Sequence, residues 1–329
     1  IRSYLIVVYT YAVLVLFVSK VDLKSYIASY KDVMLFLCLI SLLGYALFMF
    51  FPGLHHLLEG INNGDMTGTN LVLFAASKTH SRNMGMFWEP GAFQTFIILA
   101  LLFEIIEPFP DKRKVVIYCL TNITTYSTTG YLAMALILLL PFFNKKVELK
   151  KKAMLLLGLL VACVVCLLSP TIRSFLFASS INGQSTVFGK IFNFFRKTEP
   201  SGVLTSADVR YNAVFEVWRA FTEQPFWGHG YDGLAIRMYP YTHGMNTCTF
   251  VDWFATYGIV YGTLSVIGVY LFAKKLVPQR VEVFYVVCIL FILTMGENYI
   301  HHGSIIVLLL YGYLPRKIKR SEELKSDSV

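Results

Sequence analysis

Charged residues are scarce in this 329-residue chain and make up 15% of it, whereas soluble globular domains carry about 25%. Hydrophobic residues contribute 56% and aromatic residues 16%, and the mean hydropathy is +0.59. Apolar runs of roughly 20 residues recur along the whole length, and a helix of that length crosses a bilayer. The composition argues against a soluble domain and predicts an all-α, polytopic membrane protein.

Sequence motifs that mark cofactor sites are also missing. The chain has no H-E-x-x-H, no Walker loop and no D-x-D in a context that fits metal binding. Glu297, His301 and His302 cluster near one another, but adjacent histidines point in different directions on a helix, which argues against zinc. Cys163 and Cys166 form a C-x-x-C inside an apolar run, where we interpret them as packing residues. We therefore predict no metal and no other cofactor.

Lysine and arginine are distributed unequally between the two sides that the apolar runs define. Nineteen lie in short loops on one side and three in short loops on the other, as expected when cytoplasmic loops retain basic residues. The remaining seven lie in one long external loop, residues 171–248. This bias explains the net charge of +9 better than nucleic-acid binding does. It predicts that residue 1 lies outside and residue 329 inside.

We predict about nine spans in a single transmembrane domain covering residues 1–329. Their expected bounds are 4–19, 33–51, 91–107, 114–126, 128–143, 153–169, 249–273, 281–296 and 302–314. Because the chain starts with Ile and shows no cleavable signal pattern, we expect further sequence, with one or more spans, to precede it.

The two long external segments differ in pattern. Residues 52–90 are rich in glycine and asparagine and are predicted to form an irregular loop. In the large external loop, Phe188, Ile191, Phe192 and Phe195 follow helical spacing beside basic residues. That pattern is typical of an amphipathic helix in the membrane interface.

A second helix of this loop is predicted from Thr205 to Glu223, because a capping-box pattern opens it and Pro225 follows it. Its apolar face comprises Val209, Ala213, Val217 and Ala220. Arg210 has no acidic residue at i+4, so its guanidinium suits a diphosphate, although a solvated arginine fits the pattern equally well. Arg219 has Glu223 at i+4, and we predict a surface ion pair there.

Glu89 precedes Pro90 at the predicted start of a span, where the helix dipole favours a carboxylate. One interpretation is that Glu89 only caps the helix while Trp88 joins the aromatic belt. The other is that Glu89 is a partly desolvated carboxylate that faces an external cavity and acts as a base or orients a hydroxyl.

Further candidates flank the seventh predicted span. Gly228 and Gly230 lie in a glycine-rich turn that could bring backbone N–H groups to a ligand or simply end a helix. His243 and Asn246 lie just before the span. Asp252 lies about one turn inside it, where a carboxylate is a functional candidate unless it only reaches back to water.

Four stretches, in this order, resemble the Wzy-type O-antigen and capsule polymerases and the related O-antigen ligases. They are Arg82 to Trp88-Glu89-Pro90-Gly91-Ala92-Phe93, then Tyr126-Ser127-Thr128-Thr129-Gly130, then Arg210 with Trp218 and the turn from Pro225 to Gly230, and last His243 and Asn246 before Tyr257-Gly258-Ile259-Val260-Tyr261-Gly262. Each motif is loose, and the resemblance, which covers about residues 80–312, lies in their order and topology.

The resemblance implies a fold like that of C-type glycosyltransferases in the bacterial cytoplasmic membrane. It also implies metal-independent glycosyl transfer at the outer face from an oligosaccharide linked to undecaprenyl diphosphate. Arg210 and Arg82 would neutralise charge developing on the diphosphate, and Glu89 would accept the proton of the acceptor hydroxyl, with His243 as the second candidate. The predicted substrate-binding set is Arg82, Gly228, Gly230, Asn246 and Asp252.

Among functions of this kind the sequence favours a polymerase. Ligase-like members place His directly before Asn, whereas Gly244 and Met245 separate His243 from Asn246. A flippase for lipid-linked oligosaccharide would carry charges deep in several spans and have short external loops, and a membrane scaffold would not need these polar residues. The expected partners are the lipid-linked repeat unit and the bilayer, together with a chain-length regulator and a flippase.

Overall fold

The computed structural model describes residues 2–51, 53–54, 60–63, 66–71, 74–77, 82–143, 206–242 and 247–315. Within these ranges the chain forms ten helices and one small sheet. The helices are α1 (Arg2–Lys20), α2 (Leu23–Phe50), α3 (Pro90–Ile105), α4 (Lys112–Thr124), α5 (Thr128–Phe143), α6 (Ser206–Glu223), α7 (Tyr231–Thr242), α8 (Thr249–Leu276), α9 (Arg280–Thr294) and α10 (Gly303–Tyr313). The strands are β1 (Gly60–Asn63), β2 (Met66–Leu71) and β3 (Phe74–Ser77).

The predicted helical architecture is confirmed for the described part of the chain. Eight of the nine predicted spans coincide with described helices, and the sixth, residues 153–169, lies outside the described residues, as does the predicted helix at 188–195. Two helices of 28 residues, α2 and α8, have the length and composition to cross a membrane. Shorter apolar helices accompany them, namely α3, α5, α10 and most of α1. The number of spans stays a prediction.

The prediction of an irregular loop over residues 52–90 was wrong for its middle part. Strands β1, β2 and β3 form an antiparallel sheet in the order β1-β2-β3, with Gly60 opposite Thr69 and Gly68 opposite Ser77. This stretch has little apolar alternation, so the usual strand pattern was absent from the sequence. The sheet is attached to α2 through Phe74, whose ring lies 5.3 Å from that of Phe48.

Helix α3 is the centre of the fold. Almost all of its side chains are buried, from Pro90 and Ala92 through Glu104. A helix that is apolar on every face must be surrounded by other helices, and α2, α4 and α5 pack against it. At its end, Lys31 of α2 contacts Glu104 at 3.3 Å and Glu107 at 3.0 Å. The start of α3, with Glu89 and Pro90, therefore lies at the opposite end of the bundle from these ion pairs.

Large apolar side chains point away from the bundle on several helices. Examples are Val8, Leu16, Leu43, Val260 and Phe284. The polar side chains Gln94, Thr95, Thr121 and Asn122 are fully buried instead. Extensive exposed apolar surface is unusual for a soluble monomer and suits contact with lipid tails.

Helix α8 is interrupted where the glycine-rich turn meets it. Gly258 has φ +80°, outside the helical region, and the N–H of the next residue, Ile259, donates to Pro225 O at 2.7 Å. The released carbonyl of Ala255 accepts from His229 N–H at 2.8 Å, and Thr256 O accepts from Gly230 N–H at 2.9 Å. The turn therefore substitutes for part of the helix's own hydrogen-bond ladder, which keeps buried backbone groups paired.

Helices α6 and α7 pack on the first turns of α8. The predicted helix up to Glu223 is confirmed, and so is its apolar face at Ala213, Val217 and Ala220, which are fully buried beside Val251 and Ala255. Helix α7 was not predicted, because the glycine-rich turn obscured its start. The predicted Arg219–Glu223 pair was wrong in its partner: Glu223 binds Arg237 of α7 at 2.7 Å, and Arg219 lies 4.0 Å from Glu216.

We expect Gly258→Ala to destabilise the protein by at least about 1 kcal/mol, because an L-residue pays roughly that much in the left-handed region. The added Cβ would also lie 2.0 Å from Phe226 O, a backbone atom that cannot move cheaply. Thermal unfolding of the purified protein in detergent measures the effect. The matched control is Gly233→Ala in α7, where the nearest neighbour of the new Cβ, His229 Cβ, is 3.7 Å away. Equal melting temperatures for the two variants would contradict this account of the junction.

Candidate functional site

The start of α3 carries the first component of the candidate site. Glu89 occupies the N-cap position with extended backbone and Pro90 begins the helix, as predicted. The Glu89 side chain makes no capping hydrogen bond, so helix capping does not account for this carboxylate. Its Oε1 instead lies 2.8 Å from the position that a Cβ on Gly91 would occupy. The carboxylate is thus placed over the open N-terminus of α3, where backbone N–H groups favour negative charge.

The loop between α9 and α10 supplies the second component. Glu297 Oε1 lies 2.7 Å from the same Cβ position on Gly91. The separation of the Glu89 and Glu297 oxygens therefore cannot exceed the sum of the two distances. Both side chains are half-buried. Sequence reasoning noted Glu297 only as part of a polar cluster and missed this pairing, which joins residues about 200 positions apart.

Asp252 fixes this loop to α8. Its side chain is 1% exposed, and its Oδ2 accepts from Asn298 Nδ2 at 2.9 Å. Thr249 strengthens the same junction: its hydroxyl donates to Glu297 O at 2.6 Å and lies 2.7 Å from Tyr299 N–H. The burial of Asp252 argues against the reading in which it reaches back to water, and its hydrogen bond gives it a positioning role. Substrate binding by Asp252 stays a prediction.

Aromatic and imidazole groups lie beside these carboxylates. We call this set, Trp88, Tyr231, Tyr257, His301 and His302, the rim. The His301 ring contacts the Tyr257 hydroxyl through Nε2 and lies 4.7 Å from the Tyr231 ring, between centroids. His302 Nδ1 lies 2.8 Å from Ser304 Oγ, and its ring packs 5.6 Å from that of Trp88. Burial lowers the pKa of both histidines below 6.5, so both are neutral at neutral pH. Trp88, 40% exposed, is thus part of the rim.

Arg82 is anchored to the turn between α4 and α5. Its Nε donates to Thr125 O at 2.9 Å. The next residue, Asn83, is fully buried and binds Thr124 through both its backbone N–H, at 3.0 Å, and its Nδ2, at 2.9 Å. These contacts hold the Arg82 guanidinium in place at the start of α5. A contact between Arg82 and diphosphate stays a prediction.

A pair of buried amides connects that turn to α3. Gln94 Oε1 and Asn122 Oδ1 lie 2.5 Å and 2.7 Å from the position of a Cβ on Gly130, so only glycine admits this approach. Gln94 Nε2 donates to Thr95 Oγ1 at 2.9 Å and lies 3.6 Å from a Cβ built on Gly296, directly before Glu297. Sequence reasoning missed both amides, because single polar residues inside apolar helices carry no pattern.

Other predicted site residues lie on α6, in the glycine-rich turn and in the stretch before α8. The backbone of Arg210 belongs to the second turn of α6, while His243 and Asn246 lie outside the described residues. The N–H of Gly228 donates to Gln224 O at 3.0 Å and that of Gly230 to Thr256 O at 2.9 Å. A Cβ on Gly228 would lie 2.5 Å from Thr256 O. The geometry thus gives these glycines a role in joining the turn to α8, and ligand binding by them stays a prediction.

Residues 115–260 match the family model described as O-antigen ligase. The match supports membership of the O-antigen ligase/polymerase superfamily. It runs from α4 to the interruption of α8 and includes Arg210, the glycine-rich turn, His243 and Asp252, whereas Arg82, Glu89 and Glu297 lie outside it. No curated protein matches the chain.

The match over residues 115–260 and the apolar helices together support a membrane protein of polysaccharide biosynthesis with a glycosyltransferase-like activity. In the described part of the chain, no three His, Cys, Asp or Glu residues come together in a way that could hold a metal ion. That glycosyl transfer by this protein needs no metal ion stays a prediction.

The two possible roles of Asp252 are separated by two substitutions. Asp252→Asn retains an acceptor for Asn298, so we expect near-normal stability and activity. Asp252→Ala leaves the Asn298 amide without its buried partner, which should cost about 1–3 kcal/mol and reduce activity with it. Melting temperature in detergent and glycan transfer by the same preparations measure both. If Asp252→Asn keeps its stability but loses activity as Asp252→Ala does, the carboxylate itself acts on substrate and a purely positioning role is wrong.

Proposed function

We propose that the protein is a bacterial polysaccharide polymerase of the cytoplasmic membrane. It transfers a glycan from undecaprenyl diphosphate onto a second lipid-linked repeat unit at the outer face of that membrane. The observation that carries the proposal is the Glu89 carboxylate, placed over the start of the buried helix α3 and not engaged in capping. The family match at residues 115–260 supplies the reaction class.

The chemistry needs few groups. The acceptor hydroxyl oxygen bonds to the anomeric carbon of the donor, the bond from that carbon to the diphosphate oxygen breaks, and the electron pair leaves with the lipid diphosphate. Because this leaving group is already stable, the enzyme mainly has to accept the hydroxyl proton and neutralise charge on the diphosphate. Glu89 is the proposed base, with His243 as the second candidate. Arg210 and Arg82 are the proposed diphosphate ligands, since guanidinium binds phosphate with paired hydrogen bonds.

The alternative with a specific observation in its favour is an O-antigen ligase, which is the description of the matched family. A ligase would use the same donor and transfer the glycan to lipid A core. The separation of His243 from Asn246 by two residues is the feature that favours the polymerase. The lipid-linked repeat unit is the proposed substrate, and a chain-length regulator and a flippase are proposed partners in the membrane.

A reconstituted reaction tests the proposal directly. The full-length protein in nanodiscs is incubated with its lipid-diphosphate-linked repeat unit, and the glycans are resolved on a gel. We expect a ladder of multiples of one repeat, because each transfer leaves a product that can serve again as donor. Folded protein that gives no ladder but transfers the glycan when lipid A core is added would establish the ligase instead.

Arg210 provides the mutational test of diphosphate binding. We expect Arg210→Ala to abolish the ladder while the amount of protein in the membrane stays normal. Arg219→Ala is the matched control on the same helix. The Arg219 side chain is largely exposed, and its ion pair with Glu216 is long, at 4.0 Å. Normal-length polymer from the Arg210→Ala protein would overturn the role proposed for Arg210.

A further inference from the structure

We propose that Phe226 and Trp227, the aromatic tip of the glycine-rich turn, insert into the bilayer interface and anchor α6 and α7 to the membrane surface. The partner is phospholipid, which in the predicted orientation belongs to the outer leaflet. This inference does not depend on the proposed function, because it concerns how the protein lies in the bilayer and not which reaction it performs.

The aromatic tip is far more exposed than large apolar side chains usually are. Phe226 is 71% exposed and Trp227 is 89% exposed. Their backbone is nevertheless held in place, since Pro225 O accepts from Ile259 N–H at 2.7 Å and the neighbouring Gly228 is buried. A fixed turn thus presents two large apolar side chains to its surroundings. Exposed apolar groups of this kind mark contact with a protein or a membrane.

Helix α8 changes direction at Gly258, next to this turn. A Cβ built on Gly262 would lie 2.5 Å from Phe254 Cγ, although residues eight positions apart on a straight helix are separated by about 12 Å along its axis. Helical side chains point toward the start of their helix, which would move the Phe254 ring further from Gly262 if α8 were straight. The part of α8 before Gly258 therefore bends toward the part after it, and residues 259–276 form a segment of their own.

That segment matches the thickness of a bilayer core. Residues 259–276 extend over about 27 Å, and the hydrocarbon core is about 30 Å thick. Lys274 and Lys275 mark the far end of the segment, and cations of this kind lie at the boundary between hydrocarbon and headgroups. Gly258 therefore lies close to the opposite boundary. The aromatic tip lies there with it, because a Cβ on Gly258 would be 2.9 Å from Trp227 N.

Helix α3 gives the same level independently. Its buried stretch from Pro90 to Glu104 is about 21 Å long and ends at the ion pair with Lys31. Its start lies beside the rim, in which Tyr231 packs 4.7 Å from His301, between ring centroids. Since Tyr231 directly follows the glycine-rich turn, the turn and the start of α3 lie at the same end of the bundle, opposite the charged groups.

The aromatic tip adjoins a stripe of apolar side chains on α8. Val260, Leu264 and Ile267 are exposed and follow helical spacing along the segment after Gly258. On a helix that crosses a membrane, such a stripe contacts lipid tails. The hydrogen bond from Ile259 N–H to the turn places the tip where this stripe begins. Phospholipid is therefore the partner that fits both surfaces.

Polar neighbours limit how deep the aromatic tip lies. Gln224 and Asp232, on either side of the turn, are exposed, and Glu223 pairs with Arg237 at 2.7 Å. Charged groups of this kind keep to water or headgroups. Tryptophan is enriched where headgroups meet hydrocarbon, because its ring is apolar and its N–H is a donor. We therefore expect the two rings at this level and the polar groups among the headgroups.

Quenching of Trp227 fluorescence by brominated phospholipid tests the insertion. The full-length protein is reconstituted in nanodiscs of phosphatidylcholine that carries bromine either near the glycerol end or near the far end of an acyl chain. The difference between wild type and Trp227→Phe isolates Trp227 from the other three tryptophans. We expect bromine near the glycerol end to quench this component at least about twofold more strongly, as suits an interfacial ring. Quenching by neither lipid would overturn the anchor, whether or not iodide in the water quenches.

Two double variants test whether the aromatic tip holds α6 and α7 at the membrane. Phe226→Ser with Trp227→Ser removes the large apolar side chains, whereas Phe226→Leu with Trp227→Leu keeps apolar ones. Because both positions are exposed, neither change should disturb the packing of the bundle. In nanodiscs we expect amide hydrogen exchange in α6 and α7 to become about tenfold faster in the serine variant and to return toward wild type in the leucine variant, with exchange in α3 unchanged. Equal exchange in the two variants would contradict the anchor.

Discussion

The burial of α3 on every side is the constraint on which the rest of the structure depends. A helix with no exposed face must be packed by neighbours, and its polar ends must be completed by groups brought from other helices. At one end Lys31 pairs with Glu104 and Glu107. At the other, carboxylates, amides and hydroxyls from α3, the α4–α5 turn and the α9–α10 loop meet around Gly91 and Gly130. The candidate site is the set of polar groups that this end gathers.

The interruption of α8 performs a second task, because it joins α6 and α7 to the rest of the helix bundle. Ile259 N–H gives up its helical acceptor for Pro225 O, and the glycine-rich turn takes the carbonyls that this releases. The exchange gives new partners to the carbonyls of Ala255 and Thr256, and Gly228, Gly230 and Gly258 adopt positive φ there. Helices α6, α7 and α8 therefore form one packed unit, which carries the backbone of Arg210.

This arrangement suits a reaction whose leaving group is already activated. Such a reaction asks for a proton acceptor, a place for the diphosphate charge and exclusion of competing water, and it does not ask the protein to build a cofactor cage. The loop that carries Glu297 is held in place at the start of α3, since Thr249 binds the Glu297 carbonyl and Asp252 binds Asn298. Side chains fixed in this way pay little entropy when substrate binds.

The sequence by itself determined the positions of nine of the ten described helices and the cap position of Glu89, because apolar run length, capping patterns and the Glu-Pro step are local signals. It also determined the apolar face of α6, which follows from helical spacing. Only the tertiary structure decided that the 60–77 segment forms a sheet, that Glu223 binds Arg237, and that the glycine-rich turn completes α8. It alone brought Glu297 to Glu89, since the meeting of residues about 200 positions apart depends on how helices pack around α3, and no local pattern encodes that distance.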